Sequence, residues 1–144
     1  MRMNGPVAVR RRRPAAAAAE LVVILFLLIT IVLGCVDFGR FSYYYIAVTN
    51  GARAGAGFGS VNTYTTATYP VWQAQVKQAV VDEMSATYGF DASKLTVTVS
   101  VVYDTPTLWR AQVVASYPFT TIISWPGIPA SMTLQRQVAM RMVR

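Results

Sequence analysis

The stretch RRRRPAAAAAELVVILFLLITIVLGCV, residues 10–36, decides how the rest of the chain is read. Four arginines lead into small and then large apolar side chains, interrupted by a single charge, Glu20. From Ala15 to Val36 there are 22 residues. As a helix rising about 1.5 Å per residue they cover roughly 33 Å, enough to cross a hydrocarbon core about 30 Å thick. A transmembrane helix is therefore predicted over 16–36. A core helix of a soluble domain is the plain alternative, and the length and uniform apolarity speak against it. Arg10, Arg11, Arg12 and Arg13 precede the span and no comparable cluster follows it. That asymmetry predicts an N-terminus in the cytoplasm and residues 37–144 on the other side.

Charge elsewhere is sparse. The chain has 144 residues and a net charge of +7. Arg2 and Arg10–Arg13 supply five of the thirteen basic groups, which leaves eight against six acidic ones. A nucleic-acid-binding face needs basic residues spread along a groove or helix, so no nucleic-acid partner is expected. Histidine is absent and Cys35 is the one cysteine. The common triads, zinc sites and internal disulfides are thereby unavailable. No metal site, cofactor or catalytic residue is expected, and the chain is not read as an enzyme. Asp82 and Glu83 are neighbours on a predicted helix and point different ways, as solvated residues do.

Two residues inside the span need separate explanation. A carboxylate at the centre of a membrane helix costs about 2.5–3.5 kcal/mol and marks a functional site by default. At interface depth the cost is smaller, so Glu20 is either a functional group or a residue at the edge of the bilayer. Cys35 ends the string VLGC at 32–35, where a small residue precedes cysteine as in a lipoprotein signal. Recognition there would remove the span and leave a lipid anchor on Cys35. Leu33 and Glu20 fit that pattern poorly, and a small buried apolar cysteine is the simpler account.

Beyond Val36, Phe38, Phe41 and Tyr43 to Tyr45 suit an outer aromatic belt. The helical pattern continues through Ile46, Ala47 and Val48 toward Ala54. Gly51, Gly55 and Gly59 recur every four residues, a spacing that lets a second helix approach closely. Four glycines in nine residues nevertheless make a poor helix, so fraying into a linker is expected by about Gly57. A second helix is predicted over 70–89, with Pro70 in its first turn, Gly89 as its stop, and Trp72, Val76, Ala79, Val80 and Ala86 as its apolar stripe.

Three alternating runs then predict strands. Leu95, Val97, Val99, Val101 and Tyr103 share one face of the first. Trp109, Ala111, Val113, Ala115 and Tyr117 share one face of the second, between Leu108 and Phe119. Leu134, Val138, Met140 and Met142 point inward from the third, over Met132–Val143. DTPT at 104–107 is a turn. The fold class predicted is α+β: a long N-terminal transmembrane helix, a second helix and a small three-stranded antiparallel sheet. The domain plan is a basic leader over 1–15, the transmembrane helix over 16–36, a helical extension over 37–59 and an extracytoplasmic α+β domain over 60–144. The loop TTIISWPGIP, 120–129, is unusually apolar. Ile122, Ile123, Trp125 and Ile128 either meet a partner subunit or membrane surface, or fold back as a lid.

The string AAAAELVVILFLLITIVLGCVDFGRFSYYYIAVTNGARAGA resembles the N-terminal segment of TadE-like proteins, minor pseudopilins of Tad (Flp-type) pilus systems. The elements, in order, are Arg10–Arg13, the alanines, Glu20, the apolar helix, an exit at Asp37–Arg40, and the extension Ala47–Ala56. The resemblance covers about a third of the chain and implies a pilin-like plan. It also implies that a prepilin peptidase cuts between Ala15 and Ala16, leaving Glu20 as the fifth mature residue. Ala15 stands where the family prefers glycine. The new Ala16 amine, charged near neutral pH, would then pair with Glu20 of a neighbouring subunit and set axial register.

By that resemblance the partners are the membrane, pilin or pseudopilin subunits, the Tad machinery and the peptidase. The location is the cytoplasmic (inner) membrane, crossed once. The expected function is a non-catalytic, membrane-anchored structural subunit of a Tad pilus or secretion apparatus. A generic envelope-anchored binding or adhesion module, lipidated at Cys35, is the alternative.

Overall fold

The computed structural model describes residues 13–105 and 108–143. Helix α1 runs Arg13–Val61, 49 residues. Pro14 falls in its first turn, where a missing N–H costs no helical hydrogen bond, and the helix meets no further proline. The chain divides between Val36 and Asp37 into two units.

In the first unit, no side chain from Ala15 to Val36 is buried. A soluble core helix of that composition would be covered. This one is long and apolar enough to cross a membrane, and its apolar side chains are left uncovered.

In the second unit, α1 continues through the four glycines to Val61, past the point where the sequence suggested fraying. Tertiary packing supplies most helix stability in proteins, and here Gly51, Gly55 and Gly59 are packing positions. Gly51, Ala52, Gly55, Ala56, Gly59 and Ser60 are all buried. The helix closes with Asn62 donating from both its backbone N–H (3.1 Å) and its side-chain amide (2.8 Å) to the Phe58 carbonyl. The true linker is short. Thr65 and Thr68 bind each other's backbone N–H through their hydroxyls, at 2.8 and 3.3 Å, and close the turn into the next helix.

Helix α2, Tyr69–Ser85, carries Pro70 in its first turn and buries Trp72, Val76, Val80 and Met84, one residue per turn. Met84 takes the place that the sequence pattern gave to Ala86, which lies exposed beyond the helix end. The chain reverses at Gly89, whose φ of 73° suits glycine. A 3-10 turn over Ala92–Lys94 leads into the sheet.

The sheet is an antiparallel meander in the order β1-β2-β3, with β1 Thr96–Thr105, β2 Leu108–Thr120 and β3 Ser131–Arg141. Register is marked by Val99↔Val113 and Val113↔Val138, and by Tyr117↔Leu134. The inner face of central β2 buries Ala111, Val113, Ala115, Tyr117 and Phe119 in strict alternation. Pro118 lies beyond the last β1 pair, Thr96↔Ser116, where β2 pairs with β3 alone, so no β1 ladder bond is lost to it. These faces close one core with Val48, Ala52 and Ala56 of α1 and the buried stripe of α2. The α+β class predicted from sequence is the fold observed.

Candidate functional site

Two parts of α1 carry polar groups in unusual places. The first is the start of the span. Ala15, Ala16 and Glu20 all lie in the helix and all are exposed. Ala16 and Glu20 are four residues apart and share a face. Among the described residues no cation pairs with Glu20. Arg10, Arg11 and Arg12 lie outside the described residues, and Arg13 begins the helix. Cys35 is a free, exposed cysteine within α1.

The second part is the exit from the span. Asp37, the residue after Val36, is 5 % exposed. Its carboxylate accepts from the Ile122 backbone N–H at 3.0 and 3.2 Å and from the Trp125 indole N–H at 3.0 Å. Arg40, three residues along the helix, donates at 3.1 Å to Oδ1, the oxygen that the Ile122 N–H meets at 3.0 Å. The guanidinium also reaches the Thr120 carbonyl at 3.5 Å and lies 5.4 Å from the centre of the Phe119 ring. The Ile122 amide holds the Asp37 carboxyl below its ordinary value; burial opposes this, and Trp125, the Ile123 amide and Arg40 add to the lowering. A buried carboxylate with donors on several sides is a fixed charge and a rigid clamp.

What Asp37 clamps is the β2–β3 loop, 121–130. Its own closure is modest: Thr121 N–H donates to Ala130 O at 3.0 Å and Ile128 N–H to Trp125 O at 3.2 Å. Trp125 folds back onto α1 through Asp37, whereas Ile122 (59 %) and Ile128 (53 %) remain exposed.

The aromatic residues that follow the span differ in burial. Phe41 packs edge-on against Phe119 at 5.7 Å and Tyr44 stacks on Tyr117 at 5.6 Å, so both serve the domain core. Phe38 is 71 % exposed, and Tyr43 and Tyr45 are exposed too. The role of Asp37 was not read from sequence. The signal was present in the string DFGR, which places a lone acid at the end of an apolar span with an arginine one turn on.

The fold and these features define an α+β protein with, among the described residues, one helix long and apolar enough to cross a membrane and polar groups at the two ends of that span. Residues 15–57 match the family model for TadE-like protein. The match begins at Ala15, covers the span, Glu20, Asp37 and Arg40, and ends among the glycines that pack against α2. It falls on the same segment that carries the resemblance and fits a membrane-anchored protein related to the Tad pilus. No curated protein and no solved structure matches the chain.

Proposed function

We propose that this chain is a non-catalytic, pseudopilin-like structural subunit of a Tad (Flp-type) pilus or secretion apparatus. It is anchored in the cytoplasmic membrane by one helix, with its N-terminus inside and the α+β domain outside. One observation carries the reading: the segment matched by the TadE-like family is also the helix whose apolar surface is left uncovered. Such a helix works by packing, against lipid and against other helices. Its chemistry is that of assembly. Arg10–Arg13 set its direction, Ala15 and Ala16 flank the cut made by a prepilin peptidase, and Glu20 pairs with the Ala16 amine of a neighbour. The partners are pilin or pseudopilin subunits and the Tad machinery.

The test is the mature N-terminus, determined by mass spectrometry on protein from cells that carry their own peptidases. A chain beginning at Ala16 is expected. A chain beginning at a lipidated Cys35 would overturn the proposal in favour of a lipid-anchored module. An intact N-terminus would leave an anchored subunit without pilin-type processing.

A further inference from the structure

Ile122 and Ile128, in the loop held by the residue that directly follows the span, are both more than half exposed. The loop 121–130 contains no charged side chain. Its backbone at Ile122 lies within 3.0 Å of the Asp37 carboxylate, and Trp125 is tied to the same group. The loop is therefore held to Asp37, the residue that follows Val36 in the chain. Two donors that would otherwise need water, the Ile122 N–H and the Trp125 indole N–H, are already satisfied by that carboxylate. Entering a less polar medium costs them little.

We propose that the β2–β3 loop is a foot on the membrane surface. Held by Asp37, it seats Ile122, Ile128 and the Trp125 ring in the headgroup–acyl boundary of the bilayer that the Leu21–Val36 helix crosses. Tryptophan with one wet and one apolar side belongs at that depth. The occupant is lipid because the loop is tethered where the span leaves the bilayer and brings no charge to desolvate. The foot would fix the domain's height over the membrane, which a single helix free to slide and tilt does not do. The inference rests on the span crossing a bilayer.

The test uses the full chain with Cys35→Ala, carrying an environment-sensitive fluorophore on Ile128→Cys or, as control, on Val61→Cys. Val61 is 67 % exposed and lies roughly 36 Å along the helix from Asp37. The protein is reconstituted in phosphatidylcholine vesicles containing lipids with nitroxides near the headgroup. The Ile128 probe is expected to be quenched by these lipids several-fold more than the Val61 probe, and Asp37→Ala is expected to remove most of that difference. Equal quenching at the two sites in protein that floats with the vesicles would overturn the foot and leave the anchor standing. Shielding of the Ile128 probe that rises with protein-to-lipid ratio, without lipid quenching, would overturn it in favour of a second copy. Protein that does not float with vesicles would overturn the foot and the anchor together.

Discussion

A β-carbon added to Gly55 of α1 would stand 2.5 Å from Val80 Cγ2 of α2 and 3.3 Å from the Val76 carbonyl oxygen. The two helices meet so closely that no side chain fits between them there. Gly59 is similar, with Trp72, Ala111 and Val76 all within 3.0–3.2 Å of an added carbon. Gly51 is more forgiving, because its nearest neighbour is the flexible Met84 side chain, at 2.8 Å. The four-residue spacing of glycines is therefore the seat of the second helix, inside the domain.

Gly55→Ala is expected to destabilise the domain. Overpacking a tight core costs about 1–3 kcal/mol, which outweighs the ~1 kcal/mol that alanine gains over glycine in a helix. Gly57→Ala should act in the opposite direction, since its added carbon would meet only Met140 Sδ at 3.9 Å. There the helix-propensity gain of up to ~1 kcal/mol stands alone. Denaturant titration of the purified protein in one detergent, followed by tryptophan fluorescence, ranks the pair. A Gly55→Ala chain as stable as the parent would mean that the helices do not approach this closely.

Room can be restored from the other side. Val80 is fully buried, and Val80→Ala alone is expected to cost roughly 2 kcal/mol through lost burial and a cavity. In the double variant the methyl on residue 55 occupies part of the space vacated by Val80. The combined loss should fall short of the sum by ~0.5–3 kcal/mol, as for residues in contact. Strict additivity in the same titration would argue against direct contact.

The contrast between the glycines shows which parts of the structure sequence could disclose. Periodicity alone located α2 and all three strands, because alternating or four-spaced apolar residues are the direct record of a one-sided core. The end of α1 was not legible in this way. Propensity at Gly51–Gly59 argues for fraying, whereas the helix runs to Val61 because α2 and β2 press on the face that glycine leaves bare. The stripe's spacing was visible, but its occupant was not. The Asp37 clamp depends on a contact across 85 residues of sequence, from Asp37 to Ile122. No local pattern encodes such a pairing. Glu20 was legible as an anomaly because a charge in an apolar run stands out without any fold.

The Asp37 clamp should open in acid. Its carboxyl is held below the ordinary aspartate value in the folded protein, so the folded state favours the charged form. Its contribution is complete above the unfolded value of about 3.9, and it is lost as pH falls from there through the lower folded value. A fluorophore on Ile128→Cys, in the Cys35→Ala chain, should report a transition in that acid window. Asp37→Asn should abolish the transition, because the amide does not titrate. A transition unchanged by Asp37→Asn would assign the acid response to another group.

Glu20 and the cut between Ala15 and Ala16 should act as one device. If the carboxylate pairs with a neighbour's Ala16 amine, Glu20→Leu leaves insertion of the span unimpaired, since leucine is better suited to lipid than glutamate. It should nevertheless reduce the yield of cross-linked assemblies in cells that carry the rest of the machinery. Blocking the cut with Ala15→Leu removes the amine instead of the carboxylate and should give a similar loss. The two changes together should then be no worse than either alone, because each deletes one half of the same pair. Membrane fractionation controls for insertion, and cross-linking reads assembly. Additive defects would show that cleavage and Glu20 contribute separately, and normal assembly of Glu20→Leu would remove the pairing role.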